Sequence, residues 1–229
     1  MKLYPILFEA KFKQFRNVMR KVYSNLPDYV FQDMYAQEKQ NENIIDPDIG
    51  GDIRTLTNDV LLGKPEAIEK MREYEKNRGS EWINTKWEQK PRVIDLRWND
   101  LSDNKREFFR TKYLGLNLGN FPATQKEKKG YFDKVRRILS SGANQTEPVI
   151  LLQRKGETGY DVIGGNNRTF NGFLRLVLED PEIKNKFEAL NASEQIPQEN
   201  INNFFKQVFD IFDSVNPAIK INAFTGTET

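Results

Sequence analysis

The 229-residue chain contains no cysteine and no histidine. Without cysteine it can form no disulfide, no thiolate nucleophile and no zinc–thiolate site, and it can carry no thiol-based cofactor. Without histidine it lacks the commonest general base and the commonest transition-metal ligand. Any metal would therefore be held by carboxylate, amide or phosphate oxygens, which favours magnesium, manganese or calcium over zinc.

Long apolar runs and a strong excess of one charge are missing as well. No stretch approaches the roughly 18 apolar residues that a membrane helix needs, and residues 1–7 are too short and too soon interrupted to form a signal peptide. The 35 basic and 33 acidic residues give a net charge of +2, which does not by itself indicate a nucleic-acid partner, although local basic patches can bind one. We expect an intracellular, cytoplasmic protein with no membrane partner, and the absence of cysteine weakly favours a reducing compartment.

Aromatic residues, in contrast, are plentiful: the chain has 16 phenylalanines, 8 tyrosines and 3 tryptophans. This content indicates a folded protein with an apolar core rather than a disordered chain. Trp82, Trp87 and Trp98 can stack on bases or sugars. Burial in a core is the commoner use of a tryptophan, and we favour it here.

Apolar residues recur at spacings of three and four along much of the chain, which predicts helices. Helices are expected over residues 7–35, 65–77, 131–140, 181–190 and 198–212. A strand with alternating faces is predicted over residues 92–98. Residues 37–52 are predicted to form a polar loop, and the spacing of its acidic residues matches no calcium-binding pattern.

The distribution of these elements indicates three parts. We predict a mainly helical N-terminal extension over residues 1–90 and a core over residues 91–180. A helical C-terminal appendage is predicted over residues 181–229, and its last residues, 225–229, are expected to be frayed.

Residues 148–170 contain the most informative pattern in the sequence. An apolar run, Pro148–Leu152, is followed by a polar loop at 154–159 and by a second apolar run, Asp161–Ile163. Two glycines, two asparagines and an arginine then lead into a segment with helical spacing. The pattern predicts a β-hairpin whose return strand enters a helix through a tight turn.

This turn is a candidate phosphate site. The first N–H groups of a helix lack intrahelical partners and lie at the positive end of its dipole. Glycine lets an anion approach the backbone, and Arg168 adds donors on the first helical turn. No carboxylate lies between Asp161 and Glu179 to oppose an anion. The predicted phosphate-binding residues are Gly164, Gly165, Asn166, Asn167, Arg168 and Thr169.

A simpler interpretation of the same residues stays open. Two glycines before a helix can form a turn that binds no ligand, and Asn166 or Asn167 can serve as the N-cap of the helix. Glycine-rich turns are weak indicators of function when no other motif accompanies them.

The order of these elements resembles the ParB/sulfiredoxin-like superfamily. Its members carry a helix, a glycine-containing loop, a Gln-Pro-Ile-type strand, a hairpin and a Gly-x-x-Arg turn into a helix. Here Gly165–Arg168 resembles Gly-x-x-Arg, and Glu147–Ile150 resembles the Pro-Ile strand. Asn171-Gly172 stand where the family places small residues, and Phe121–Lys126 faintly resembles its upstream Asn-Pro-x-Gln segment. The resemblance covers residues 92–178.

The resemblance implies an α/β (α+β) fold, with a small mixed sheet in a ParB/sulfiredoxin-like core, flanked by N- and C-terminal helices. It also implies that a nucleotide phosphate is held at the Gly-x-x-Arg turn. Sulfiredoxins carry Gly-Cys-His-Arg, and the asparagines at positions 166 and 167 exclude their chemistry. Partition proteins carry Gly-Glu-Arg-Arg, so the same two asparagines depart from the CTP-switching pattern.

We therefore predict binding of a nucleotide or nucleic-acid phosphate at residues 164–169, with or without NTP-dependent phosphoryl transfer or hydrolysis. Magnesium would accompany the NTP. Glu147 and Asp161 are the candidate catalytic carboxylates, although a structural role is commoner for such residues.

Two other functions stay open. A ParB-like DNA-binding protein or nuclease would use the basic segments Lys11–Lys21 and Lys126–Arg137. A non-enzymatic interaction protein on a degenerate fold would use the aromatic C-terminal helix to bind a partner or to form a homodimer.

Overall fold

The structure is a computed structural model, and it describes residues 3–32, 59–60, 62–77, 84–114, 124–140, 147–193 and 195–229. Its contacts divide the chain into two compact units. The first unit comprises Met1–Lys90 together with Gly226–Thr229, and the second comprises Pro91–Thr225. Within the described residues, no helix is both long enough and apolar enough to cross a membrane.

The described residues of the first unit include two packed helices and a short strand. Helix α1 spans Leu3–Val22, helix α2 spans Pro65–Asn77, and strand β1, Thr85–Trp87, pairs antiparallel with residues 226–228. The prediction of α2 is confirmed, with a proline at its first position as helices tolerate. The predicted helix over 7–35 is wrong as a single element, because α1 ends at Val22 and the chain becomes helical again only at residues 28–32, after Pro27.

The second unit is built on a mixed sheet. Strands β2 (Arg92–Arg97), β3 (Val149–Gln153), β4 (Asp161–Gly164) and β5 (Ala218–Glu228, to Thr225 in this unit) lie in the order β2-β5-β3-β4. β2 and β5 are antiparallel, with Ile94 opposite Ile221, and β3 and β4 form the predicted antiparallel hairpin. The α/β fold class is therefore confirmed, because helices flank a mixed sheet.

Helices cover this sheet. They are α3 (Asp103–Leu114), α4 (Gln125–Ser140), α5 (Asn166–Val177), α6 (Pro181–Ala192) and α7 (Gln198–Val215), and a 3-10 turn, Trp98–Asp100, precedes α3. Helix α5 packs on β3 and β4, and α7 packs against α3, α5 and α6. Helix α4 begins earlier than its apolar stripe predicts, because Thr124 and Glu127 form a capping box with N···O distances of 2.8 and 3.3 Å.

A phenylalanine-rich core joins these elements. Its fully buried rings come from the 3-10 turn and from four helices: Trp98, Phe109, Phe132, Phe170, Phe173, Phe205 and Phe212. Trp98 is completely buried, and its Nε1 donates to Asp213 Oδ1 at 2.9 Å. Trp87 is also buried, so the prediction that tryptophans pack in the protein interior is confirmed for Trp87 and Trp98. Trp82 lies outside the described residues. The acidic loop predicted at 37–52 lies outside them as well.

The end of the chain corrects one prediction. Residues 181–229 contain the two predicted helices, α6 and α7, but the segment as a whole is not helical. Residues 225–229 are not frayed. Residues 218–228 form strand β5, which lies between β2 and β3. Alternation in this segment places Ile219, Ile221 and Ala223 inside, and the intervening Lys220 and Asn222 are more exposed.

Candidate phosphate-binding site at the start of helix α5

The turn between β4 and α5 requires glycine. Gly165 is the N-cap of α5 and has a φ of 85°, which side chains other than glycine rarely adopt. A Cβ at this position would lie 2.8 Å from Val149 Cγ1. Neither Asn166 nor Asn167 caps the helix, because both lie inside its first turn and no side chain makes the cap hydrogen bond. The N-cap interpretation of the asparagines is therefore wrong.

Both asparagines instead contact lysines from α3. Lys105 Nζ donates to Asn166 Oδ1 at 3.3 Å, and Lys112 Nζ donates to Asn167 Oδ1 at 3.1 Å. Tyr113 OH also donates to Asn167 Oδ1 at 3.1 Å. Two ammonium groups thus lie beside the positive end of the α5 dipole, which concentrates positive charge there.

The two lysines were not among the predicted site residues. Their spacing of seven places both on one side of α3, and this spacing is visible in the sequence. The approach of α3 to the start of α5 is a long-range contact, however, across 61 residues for Lys105 and 55 for Lys112. No local pattern indicates such a contact.

Arg168 has a carboxylate partner. Its Nη1 donates to Glu147 Oε2 at 2.5 Å and its Nη2 to the carbonyl oxygen of Pro148 at 3.0 Å. The expectation that no carboxylate opposes an anion here is therefore wrong for Arg168, because the acid arrives from the entrance of β3 rather than from the local sequence. Two of the predicted residues, Glu147 and Arg168, are brought together as an ion pair.

The two flanking predicted residues face the protein. Gly164 is buried in β4 and pairs with Ile150 of β3. Thr169 is fully buried, and its Oγ1 donates to the carbonyl oxygen of Gly165 at 3.2 Å. Asn167 is therefore the exposed residue of the turn, and Asn166 and Arg168 are partly covered.

Asp161 begins strand β4 and is 8% exposed. Ser102 Oγ donates to its Oδ1 at 2.6 Å, and Arg154 Nε donates to its Oδ2 at 2.5 Å. Burial alone would raise the pKa of Asp161, but the hydrogen bonds from Ser102 and Arg154 and the charges of Arg154 and Lys105 outweigh it and hold the pKa below its ordinary value.

This carboxylate also positions α3. Ser102 Oγ accepts a hydrogen bond from the backbone N–H of Lys105 at 3.1 Å, so Ser102 links the first turn of α3 to Asp161 on β4. The link holds Lys105 close to α5. Asp161 therefore has a structural partner for each of its oxygens, and its geometry explains why the lysine reaches the site.

The basic segments predicted to contact DNA are partly used for packing. In α4, Lys128 Nζ donates to the carbonyl oxygen of Ile196 at 3.4 Å, and Lys129 donates to that of Asn191. In α1, Arg16 and Arg20 both pair with Asp28. These side chains stabilise their own units.

No group of three or more acidic side chains that could hold a metal ion occurs in the part of the chain that the structure describes. Comparison of the chain with protein-family models, with curated proteins and with solved structures gave no match.

Proposed function

We propose that the second unit is a ParB/sulfiredoxin-like module that binds the phosphate group of a nucleotide or nucleic acid at the start of α5. One observation carries the proposal. The ammonium groups of Lys105 and Lys112 lie 3.3 and 3.1 Å from the side chains of Asn166 and Asn167, the first two residues of the helix.

The arrangement suits an anion for three physical reasons. The first N–H groups of α5 point out of the helix along its positive dipole end. The lysines add positive charge, and the pairing of Asn166 and Asn167 through Oδ1 leaves their Nδ2 atoms as donors. Phosphate offers several acceptor oxygens at once, so it can accept from several of these donors together.

The role of Arg168 is secondary in this proposal. Its charge is offset by Glu147 in the ion pair described above, so it adds less attraction for a phosphate than a lone arginine would. Magnesium would enter with the phosphates of an NTP, because oxygen-rich ligands on the nucleotide can bind it.

We propose binding and assign no catalytic residue. Asp161 is buried between Ser102 and Arg154, and its lowered pKa makes it a weak general base. Glu147 is held by Arg168. Phosphoryl transfer, NTP hydrolysis and nuclease activity are separate hypotheses, to be tested by adding magnesium or manganese to the bound complex.

The test compares lysine variants of the full chain. Fluorescence anisotropy with a labelled single-stranded oligonucleotide, and calorimetry with the four NTPs and magnesium, would measure affinity. The double variant Lys105→Ala/Lys112→Ala should bind at least about tenfold more weakly and with a shallower dependence on salt, because each phosphate contact releases counterions. The double variant Lys184→Ala/Lys206→Ala, which removes two exposed lysines from α6 and α7, is the charge-matched control and should bind like wild type.

Two results would contradict the proposal. One is the absence of binding to every NTP and oligonucleotide at low salt. The other is binding that Lys105→Ala/Lys112→Ala and Lys184→Ala/Lys206→Ala weaken equally, because the attraction would then come from the overall charge rather than from this site.

A further inference from the structure

An exposed aromatic ring lies between the two lysines of the proposed site. Phe108 is 42% exposed on α3. Lys105 Nζ lies 4.5 Å and Lys112 Nζ 5.7 Å from its ring centroid. The three residues follow each other at spacings of three and four, so they form one stripe along the helix.

The core does not account for this ring. The neighbouring Phe109 is fully buried and supplies the contacts of α3 with Trp98 and Phe170. The Phe108 and Phe109 rings are tilted relative to each other by 58°, with centroids 5.7 Å apart. The other large apolar side chains exposed in the described residues are aliphatic, namely Leu62, Val93 and Val215. Phe108 is thus an exposed π surface with a cation on either side.

We infer that Phe108 is a stacking platform for an unpaired base of a single-stranded nucleic acid, and this inference rests on the phosphate-binding function proposed above. Every nucleobase has a π face that can stack on an aromatic ring, and an electropositive surface that follows the backbone completes such sites. Stacking of a base is stronger than an exposed cation–π contact. The base would therefore displace an ammonium group from the ring toward a phosphate.

The spacing of the charges favours a strand over a free nucleotide. Seven residues of α-helix separate Lys105 from Lys112, which corresponds to about 10 Å along the helix axis. A base within a strand has phosphates on both of its sides, and both lysines can then contact one ligand. A free nucleotide carries its phosphates on one side only. A duplex keeps its bases stacked on each other and offers no face to Phe108.

The test separates the base from the phosphates. Fluorescence anisotropy would compare a strand of about 12 deoxyadenosines with an abasic strand that carries the same number of phosphates. Wild type should bind the deoxyadenosine strand about tenfold more tightly than the abasic strand. Phe108→Leu should remove that preference, and Phe108→Trp should restore it. Val215→Ala, at an exposed apolar position of α7, is the control and should keep it.

The outcomes distinguish this inference from the function on which it rests. If both strands bind equally well to wild type and both depend on Lys105 and Lys112, the phosphate site stands and the stacking platform is wrong. If neither strand binds, the stacking platform for a single strand is wrong, and if no NTP binds either, the phosphate site itself is wrong. Binding of ATP or of the duplex as tightly as of the deoxyadenosine strand would overturn the assignment of a single strand. Retention of the preference in Phe108→Leu would also overturn it.

Discussion

Arg168 on the first turn of α5 donates a hydrogen bond to Glu147 at the entrance of β3, with an N···O distance of 2.5 Å. The ion pair links the start of α5 to β3, the strand on which this helix packs. The arginine is largely covered and the acid is largely exposed, with 26% and 71% of their side chains accessible. Arg168 therefore stabilises the contact between α5 and β3 whether or not a ligand is bound.

This geometry predicts unequal effects of the two partners. Arg168→Ala should destabilise the fold by about 1–2 kcal/mol, because it removes the hydrogen bond to the Pro148 carbonyl as well as the ion pair. Glu147→Ala should cost less than about 1 kcal/mol, since an exposed ion pair contributes little. Urea unfolding of both single variants and of the double variant would measure the coupling. Equal losses in the two single variants would contradict the assignment.

The same pair makes a prediction about binding. Glu147→Gln removes the negative charge beside the proposed phosphate site and leaves Arg168 in place. The affinity for a single-stranded oligonucleotide should therefore rise, most clearly at low salt where surface charges are least screened. Salt-dependent anisotropy titrations would show it, and a loss of affinity in Glu147→Gln would mean that the acid itself contacts the ligand.

Gly165 and Gly156 form a matched pair for testing the turn. Both have positive φ values, 85° and 76°, but a Cβ at 165 would meet Val149 Cγ1 at 2.8 Å, whereas the space around Gly156 is open. Gly156→Ala should therefore cost only the backbone strain, about 1 kcal/mol. Gly165→Ala should cost about 1–3 kcal/mol more, because the core side chain must move. Thermal unfolding would rank them, and equal losses would show that Val149 yields without cost.

The sequence predicted best those elements whose signals are local. The hairpin of β3 and β4, the glycine turn and the helix after it follow from a short stretch of alternating and helical spacing. Helix α2 begins at a proline and was predicted from Pro65 to residue 77, as observed. In each case the residues that determine the element lie within the element or next to it.

Long-range contacts explain what the sequence did not predict. Strand β5 pairs with β2, which lies more than a hundred residues earlier in the chain, so its partner could not be read from its own residues. The approach of Lys105 and Lys112 to α5 depends on the packing of α3. The ion pair of Arg168 with Glu147 depends on the position of β3. The sequence supplied the residue types at the site, and the tertiary fold decided which of them meet.

Asp161 should make stability depend on pH. Its pKa in the folded protein is lowered, whereas an unfolded aspartate titrates near about 3.9. The carboxylate therefore stabilises the fold fully above about pH 4, and this contribution is lost as the pH falls through the lower, folded pKa. The stability difference between wild type and Asp161→Asn should be constant from pH 7 down to about 5 and should shrink at lower pH.

Ser102→Ala provides the second arm of that test. Removal of the hydrogen bond at 2.6 Å takes away one of the interactions that hold the pKa down. The loss of stability on acidification should then be smaller than in wild type and should be complete at a higher pH, because the folded pKa moves closer to that of the unfolded chain. Urea unfolding across the acid range would measure both variants, and identical pH profiles for wild type and Ser102→Ala would contradict this account of Asp161.

Asp213 should be needed for the burial of Trp98. Its Oδ1 accepts from the indole Nε1 at 2.9 Å, and Arg110 Nη2 donates to both of its oxygens at 2.6 Å. Asp213→Ala would leave the indole N–H of a fully buried ring without this acceptor, at a cost of about 1–3 kcal/mol. Asp213→Asn keeps a carbonyl oxygen and should cost less. Thermal unfolding would compare them, and equal losses would attribute the effect to Arg110 alone.

The two faces of β5 provide the sharpest test of the corrected chain end. Ile221 faces the core opposite Ile94, while the adjacent Asn222 is opposite the exposed Val93. Ile221→Thr would place a hydroxyl among apolar side chains and should destabilise the fold by roughly 2–3 kcal/mol. Asn222→Thr introduces a β-branched residue on the outer face and should change stability by no more than about 0.5 kcal/mol. A segment outside the folded sheet would tolerate both substitutions, so equal and negligible effects in urea unfolding would remove residues 221 and 222 of β5 from the sheet.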